Sequence, residues 1–151
     1  MNQELAQIFR EMSLFFEMKN DRFRARAYEN GAETLDTLTL NVKDVYAKDG
    51  SKTLEDLPGI GRGMAEKIEE YIKTGEIKEY NALKKEMPVN MDELAAVEGL
   101  GPKGIKTLYQ KLKIKNLKDL EKAAKAGKIR ELEGFGEKSE KNILEGIEFV
   151  K

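Results

Sequence analysis

The sequence predicts an all-α protein, and three observations carry that prediction. Apolar residues recur at helical spacing along the whole chain. No segment alternates convincingly with period two. One pattern that joins helices occurs three times, at Leu57-Pro58-Gly59-Ile60-Gly61, Val97-Glu98-Gly99-Leu100-Gly101 and Leu132-Glu133-Gly134-Phe135-Gly136, each reading apolar, any residue, Gly, apolar, Gly. Each copy has an apolar residue three positions upstream (Leu54, Leu94, Ile129) and another seven beyond its second glycine (Ile68, Leu108, Ile143).

Leu5, Ile8, Phe9, Met12, Phe15 and Phe16 form the apolar stripe of a first helix ending near Asn20. Asp21 is the N-cap of a second, which is expected to carry Phe23, Ala27, Ala32, Leu35 and Leu38 inward. Val42, Val45 and Tyr46 mark a short third helix stopped by Asp49-Gly50. Ser51 opens a brief helical turn into the first hairpin, after which Met64, Ile68, Tyr71 and Ile72 continue as a helix closed at Thr74-Gly75. Residues 77–87 read as another helix, and Pro88 ends it. That proline and the sparse apolar residues around it place a domain boundary there, giving domains 1–87 and 88–151. The second domain runs hairpin, helix, connecting helix, hairpin, helix. Asn116 caps the connecting helix, which carries Leu117, Leu120 and Ala124 and stops at Gly127. Its two hairpins begin 35 residues apart, which fits a tandem unit with pseudo-twofold symmetry. The aromatics Phe9, Phe15, Phe16, Phe23, Tyr71 and Tyr80 sit at helical spacing and are expected in the core rather than as base-stacking platforms. The lysine-rich run 111–118 is expected to be a solvated helix end and loop with a secondary part in attracting phosphate.

With 151 residues there is room for one ordinary domain or two small ones. No Cys is present, which excludes a disulfide scaffold or a thiolate metal site, and no His, which removes imidazole catalysis. No apolar run approaches the roughly 20 residues of a membrane span, and no signal-peptide core follows Asn2, Gln3 and Glu4, so a cytoplasmic, monomeric protein without a membrane partner is expected. The net charge of −1 hides an asymmetry. Residues 97–151 carry 13 Lys and Arg against 9 Asp and Glu, a net +4, and the rest carries −5.

The hairpins suit a phosphate chain. The first glycine of each can take positive φ without steric cost, and the second lets another backbone come close. A helix then starts at once, so unpaired N–H groups and the positive end of its dipole point outward together. Gly59, Gly61, Gly99, Gly101, Gly134 and Gly136 are therefore DNA-binding candidates, with Arg62, Lys103 and Lys138 adding charge beside them and Gly104 in the first turn after Pro102. The alternative is that Gly-x-Gly merely joins two helices tightly; three copies with matched flanking residues favour the clamp. Contacts to backbone phosphate imply sequence-independent binding that falls with ionic strength.

These residues also resemble a known family. Asp21-Arg22-Phe23-Arg24-Ala25-Arg26-Ala27-Tyr28, followed by Leu57-Pro58-Gly59-Ile60-Gly61 and Ala65-Glu66-Lys67-Ile68, looks like the front end of a family X DNA polymerase. The likeness is greatest to the bacterial and archaeal branch, and more distant to DNA polymerase beta. The order and spacing of the motifs cover essentially the whole chain, and imply a polymerase beta N-terminal-like helical domain followed by a tandem helix-hairpin-helix domain. In that family the first domain grips the 5′-phosphate of gapped DNA and in some members removes a 5′-deoxyribose phosphate through a Schiff-base lysine. The resemblance puts Lys67 at the nucleophile position, Arg24 at a basic 5′-phosphate ligand and Tyr28 at a tyrosine supporting the lyase pocket. Two positions depart from the pattern: Gly63 and Glu79 stand where the well-studied lyases carry basic residues. Their loss would weaken phosphate grip and lysine activation. The alternative for Lys67 is an exposed lysine paired near Glu70 or the Tyr71 carbonyl. The resemblance further implies a monovalent cation, sodium or potassium, on the hairpin carbonyls of Glu55, Leu57 and Ile60 in the first copy and Ala95, Val97 and Leu100 in the second. It gives Phe135, in the third hairpin, either a core role or a DNA contact.

A family X polymerase transfers nucleotides with two metal ions on aspartates, including an Asp-x-Asp pair. None of Asp21, Asp36, Asp44, Asp49, Asp56, Asp92 and Asp119 forms one, so no polymerase site is expected, and magnesium would enter only if a palm domain follows in a longer protein. The chain reads as an excised amino-terminal portion or a stand-alone DNA-holding protein. Three functions compete: a module holding gapped, nicked or primer–template duplex, a 5′-deoxyribose-phosphate lyase acting through Lys67, and a helical protein-interaction domain without nucleic acid.

Overall fold

Short amphipathic helices are the whole of the secondary structure. The computed structural model, which describes residues 1–151, contains ten helices and no strand. The chain divides into two units, Met1–Glu86 and Met87–Lys151. None of the helices is long and apolar enough to cross a membrane.

Unit 1 is built on α1 (Asn2–Met18) and α2 (Arg22–Thr37). Asn20 turns the chain between them in the left-handed region at φ +63°, and the Asp21 carboxylate caps α2 by accepting the Arg24 N–H at 3.1 Å. Leu5, Phe9 and Met12 are fully buried on α1. From α2 they meet Ala25, Tyr28, Ala32 and Leu35. The Phe9 ring stands edge-on to Tyr28 with centroids 5.3 Å apart, and Phe16 stacks on Tyr28 at 5.4 Å. A Cβ on Gly31 would lie 3.0 Å from Met64 Cε and 3.2 Å from Phe9 Cδ2, so the glycine lets α5 and α1 close on α2 together.

The inward face of α2 is not the one the sequence suggests. Phe23 is 86% exposed, and Ala27 and Leu38 are only half-buried. Ala25, Tyr28, Ala32 and Leu35 recur at three- and four-residue steps and define the buried stripe. Two residues before Ala25, Phe23 falls about 200° away around the helix. Tyr71 and Tyr80 also leave the expected core. Both are half-buried, and each donates its hydroxyl to a carboxylate on α1: Tyr71 to Glu4 at 3.1 Å, and Tyr80 to Glu11.

The remaining unit 1 helices are α3 (Val42–Asp49), α4 (Ser51–Glu55), α5 (Arg62–Thr74) and α6 (Lys78–Glu86). Gly50 at φ +65° ends α3, and Gly75 ends α5 in the left-handed conformation that a Cβ disfavours.

Unit 2 comprises α7 (Met91–Ala95), α8 (Pro102–Leu112), α9 (Leu117–Lys125) and α10 (Glu137–Val150). Asn90 and Asn116 cap α7 and α9 by accepting the Glu93 and Asp119 N–H groups. The 111–118 run is more than a solvated loop. Ile114 within it is buried, and Asn90 donates its N–H to the Lys115 carbonyl at 2.7 Å. Gly146 lays α10 directly on the second hairpin, since a Cβ there would be 2.9 Å from Val97 Cγ1 and 3.3 Å from the Glu98 carbonyl oxygen.

Candidate nucleic-acid interface

The three hairpins are built by one hydrogen-bond ladder. In the first, Leu57 N–H donates to Leu54 O at 3.1 Å, Ile60 N–H to Leu57 O at 3.1 Å, and Ala65 N–H to Gly61 O at 2.9 Å. The second repeats this with Val97 on Leu94, Leu100 on Val97 and Ile105 on Gly101, and the third with Leu132 on Ile129, Phe135 on Leu132 and Glu140 on Gly136. The matched flanking residues Leu54, Ile68, Leu94, Leu108, Ile129 and Ile143 are all buried, so they anchor each turn to the core. In every copy the first glycine has positive φ: +74° at Gly59 and +86° at Gly99 and Gly134.

The second glycines differ in kind. Gly61, Gly101 and Gly136 are the N-caps of α5, α8 and α10, with extended backbones that any residue adopts. A Cβ on any of them would meet nothing within 4 Å. Neither conformation nor internal packing therefore demands glycine at these three positions. No side chain caps these three helices, whereas Asp21, Asn41, Asn90 and Asn116 cap α2, α3, α7 and α9. The first-turn amides of α5, α8 and α10 thus face open space without a side-chain acceptor.

The surroundings of the hairpins are not alike. The first rests on α2, where Thr34 Oγ1 donates to the Pro58 carbonyl at 2.6 Å. Arg62 beside it is exposed and 3.5 Å from Glu66. The second and third open onto one cleft of about 290 Å³, lined among others by Gly99, Gly101, Gly134 and Phe135. Lys103 and Lys138 are both exposed. Gly104 has an internal reason to be glycine, because a Cβ there would lie 3.1 Å from Leu100 Cδ1 and 3.6 Å from Phe135 Cζ. Phe135 itself is half-buried. Acidic groups crowd the third copy. Glu137 begins α10, and Arg130 reaches both Glu137 at 3.5 Å and the buried Glu140 at 2.9 Å. Burial pushes the Glu140 carboxyl up, but the backbone N–H and guanidinium of Arg130 outweigh it and hold the group below the usual carboxylate range. Nothing in the spacing of Arg130 and Glu140 announces this pair.

In unit 1 the structure brings Arg24, Tyr28 and Lys67 together around Glu79. Tyr28 donates its hydroxyl to Glu79 Oε1 at 2.8 Å. Lys67 Nζ lies 3.7 Å from the same oxygen, and Arg24 Nη1 lies 3.9 Å from Glu79 Oε2. Burial, then the Glu79 hydrogen bond, push the Tyr28 hydroxyl far above the usual phenol range, so it remains a donor. Arg24 is also held by Asp21 at 3.5 Å and lies 5.5 Å from the Phe16 ring centroid. The partner of Lys67 is thus Glu79, while Glu70 accepts the Lys78 N–H at 2.9 Å. Of the hairpin carbonyls considered for a cation, those of Leu57 and Val97 already accept the turn N–H and keep one lone pair each.

The comparisons with known proteins agree with this anatomy. A family model described as a helix-hairpin-helix domain matches residues 1–77, and one described as a SAM-like helix-hairpin-helix tandem matches residues 91–148. The DNA polymerase/3′-5′ exonuclease PolX of Bacillus subtilis (strain 168) is 30% identical over 146 residues, covering 96% of this chain and 25% of that protein. The chain therefore spans about a quarter of the length of the curated relative it matches. It belongs to the helix-hairpin-helix family, in the form carried by the amino-terminal part of the family X DNA polymerases.

Proposed function

We propose that this chain holds DNA by its sugar-phosphate backbone, without reading sequence, as the DNA-holding part of a family X repair polymerase. Gapped, nicked or primer–template duplex is the ligand. The observation that carries this reading is the set Gly61, Gly101 and Gly136, glycines that the fold does not require, set before uncapped helix amides. A phosphate oxygen approaching those amides gains charge-assisted hydrogen bonds, and a side chain would stand in its way. The PolX likeness supports DNA as the partner. The carbonyls of Glu55, Leu57, Ile60, Ala95, Val97 and Leu100 are neutral oxygen donors of the kind a hard monovalent cation takes, and such an ion would bridge hairpin to phosphate.

Fluorescence anisotropy with a gapped duplex tests the reading. For three or four phosphate contacts, affinity is expected to fall roughly 40- to 150-fold between 50 and 200 mM salt. At low salt the amide resonances of residues 61–65, 101–105 and 136–140 are expected to shift. A protein-interaction domain would give neither response.

The convergence on Glu79 favours a second activity at the same DNA end, 5′-deoxyribose-phosphate lyase chemistry through Lys67. A Schiff base needs a neutral amine, and a carboxylate within ion-pair reach favours the ammonium. Borohydride trapping on pre-incised abasic DNA is therefore expected to give a weak adduct with the wild type. Glu79→Gln is expected to strengthen it several-fold, and Lys67→Ala to abolish it. An adduct that survives Lys67→Ala, or none with Glu79→Gln, removes Lys67 as the nucleophile.

A further inference from the structure

Phe23 is the largest side chain the fold leaves unused, and its neighbours are not those of an incidental surface apolar residue. Isolated exposed apolar side chains are ordinary, so the 86% exposure of Phe23 carries nothing alone. What distinguishes it is charge and position. Arg22 precedes it and Arg26 lies one turn on, both exposed and neither drawn into an ion pair, in contrast to Arg24 with its Asp21 and Glu79 partners. No acidic residue occupies the first turn of α2. The other exposed phenylalanine, Phe149 at 88%, has the opposite setting, in a cleft lined by Glu98 and Glu145 and with Glu148 next to it in sequence.

Phe23 also shares a strip of α2 with the first hairpin. Seven residues on, Asn30 lies on the same side of the helix, two turns and about 10 Å along its axis. Asn30 and Thr34 are the residues on which that hairpin sits: a Cβ on Gly59 would be 3.6 Å from both Asn30 Cβ and Thr34 Oγ1, and Thr34 is hydrogen-bonded to Pro58. One face of α2 thus carries an aromatic ring between free arginines at one end and a phosphate-type hairpin at the other. At about 3.4 Å per nucleotide the separation is roughly three nucleotides of a strand.

We infer that Phe23 is a stacking platform for the unpaired template base of a DNA gap, with Arg22 and Arg26 neutralising the adjoining phosphates. This rests on the DNA-holding reading and specifies which part of the DNA unit 1 meets. An exposed ring flanked by cations is how single-stranded nucleic acid is bound without sequence preference, since every base has a π-face.

The test places 2-aminopurine at the unpaired position of a one-nucleotide gap and measures its fluorescence and the affinity of the full chain. Wild type is expected to quench the probe. Phe23→Ala is expected to abolish the quench and weaken gapped-DNA binding about tenfold, while affinity for continuous duplex and the melting temperature stay unchanged. Phe23→Tyr should restore the quench, and Phe23→Leu should not. Equal losses on gapped and continuous DNA, rescue by leucine, or unchanged binding and fluorescence in Phe23→Ala would each overturn the inference, the last leaving the ring to a protein partner. Wild type that bound neither DNA would remove the DNA-holding reading as well, whereas a silent Phe23→Ala in a protein that binds DNA removes this inference alone.

Discussion

Gly61→Thr combined with Gly101→Thr is expected to lower affinity for gapped duplex about a hundredfold while leaving thermal stability unchanged or slightly raised. Both glycines have extended backbones, φ −85° and −95°, that threonine adopts without strain, and the space beyond each α-carbon is open. At an N-cap threonine is as good as glycine, because its hydroxyl accepts an amide of the first turn. That is the amide a phosphate would use, and the new methyl occupies the approach. Each lost charge-assisted bond is worth about 1.5–3 kcal/mol, so two blocked hairpins reach the hundredfold range. Circular-dichroism melting and anisotropy on the same samples separate the two effects. Gly99→Val would not, since a β-branched residue at φ +86° strains the turn itself and binding would fall with the fold. Undiminished binding by the double threonine variant would reduce the hairpins to tight connections between helices.

The hairpins were legible because their signal is local and repeated. Spacing alone picked out Leu54, Ile68, Leu94, Leu108, Ile129 and Ile143, and all six are buried beneath the turns. Helix ends marked by Asp21, Gly50, Gly75 and Asn116 were equally readable, since capping is decided by one side chain or one positive φ. Phe23 misled because size was weighted over period: the smaller Ala25 and the amphipathic Tyr28 set the buried face of α2, and the larger ring falls outside it. Tyr71 and Tyr80 were misread because their hydroxyls find Glu4 and Glu11, far away in sequence, and a tyrosine with a carboxylate partner settles at the edge of a core. Glu79 could be seen as a missing cation. That its carboxylate would stand between Tyr28, Arg24 and Lys67 depends on how α2, α5 and α6 pack, which periodicity does not encode. Glu140 reads as one more acid on a surface helix, and only the fold of Arg130 over it explains its burial.

Phe9→Ala is the substitution expected to cost most in stability, about 3–5 kcal/mol. The ring has no exposed surface, packs edge-on against Tyr28, and fills the space that Gly31 leaves open towards Met64. Its removal deletes an aromatic pair and opens a cavity between α1 and α2 that backbone movement closes only partly. Small domains hold about 5–15 kcal/mol in total, and one the size of unit 1 sits toward the lower end, so the variant should be marginal at 37 °C. The functional consequence follows from what α2 carries. Tyr28 holds Glu79 in place, and Thr34 holds Pro58 of the first hairpin, so both candidate sites of unit 1 are mounted on the helix that Phe9 supports. Phe9→Leu keeps much of the volume and should cost less than half as much. Urea titration monitored by circular dichroism reads both costs from the midpoint and slope. A loss below about 1 kcal/mol for Phe9→Ala would mean that the hairpin and the Glu79 cluster are held by α3 to α6 instead, and that the α1–α2 pair is not their foundation.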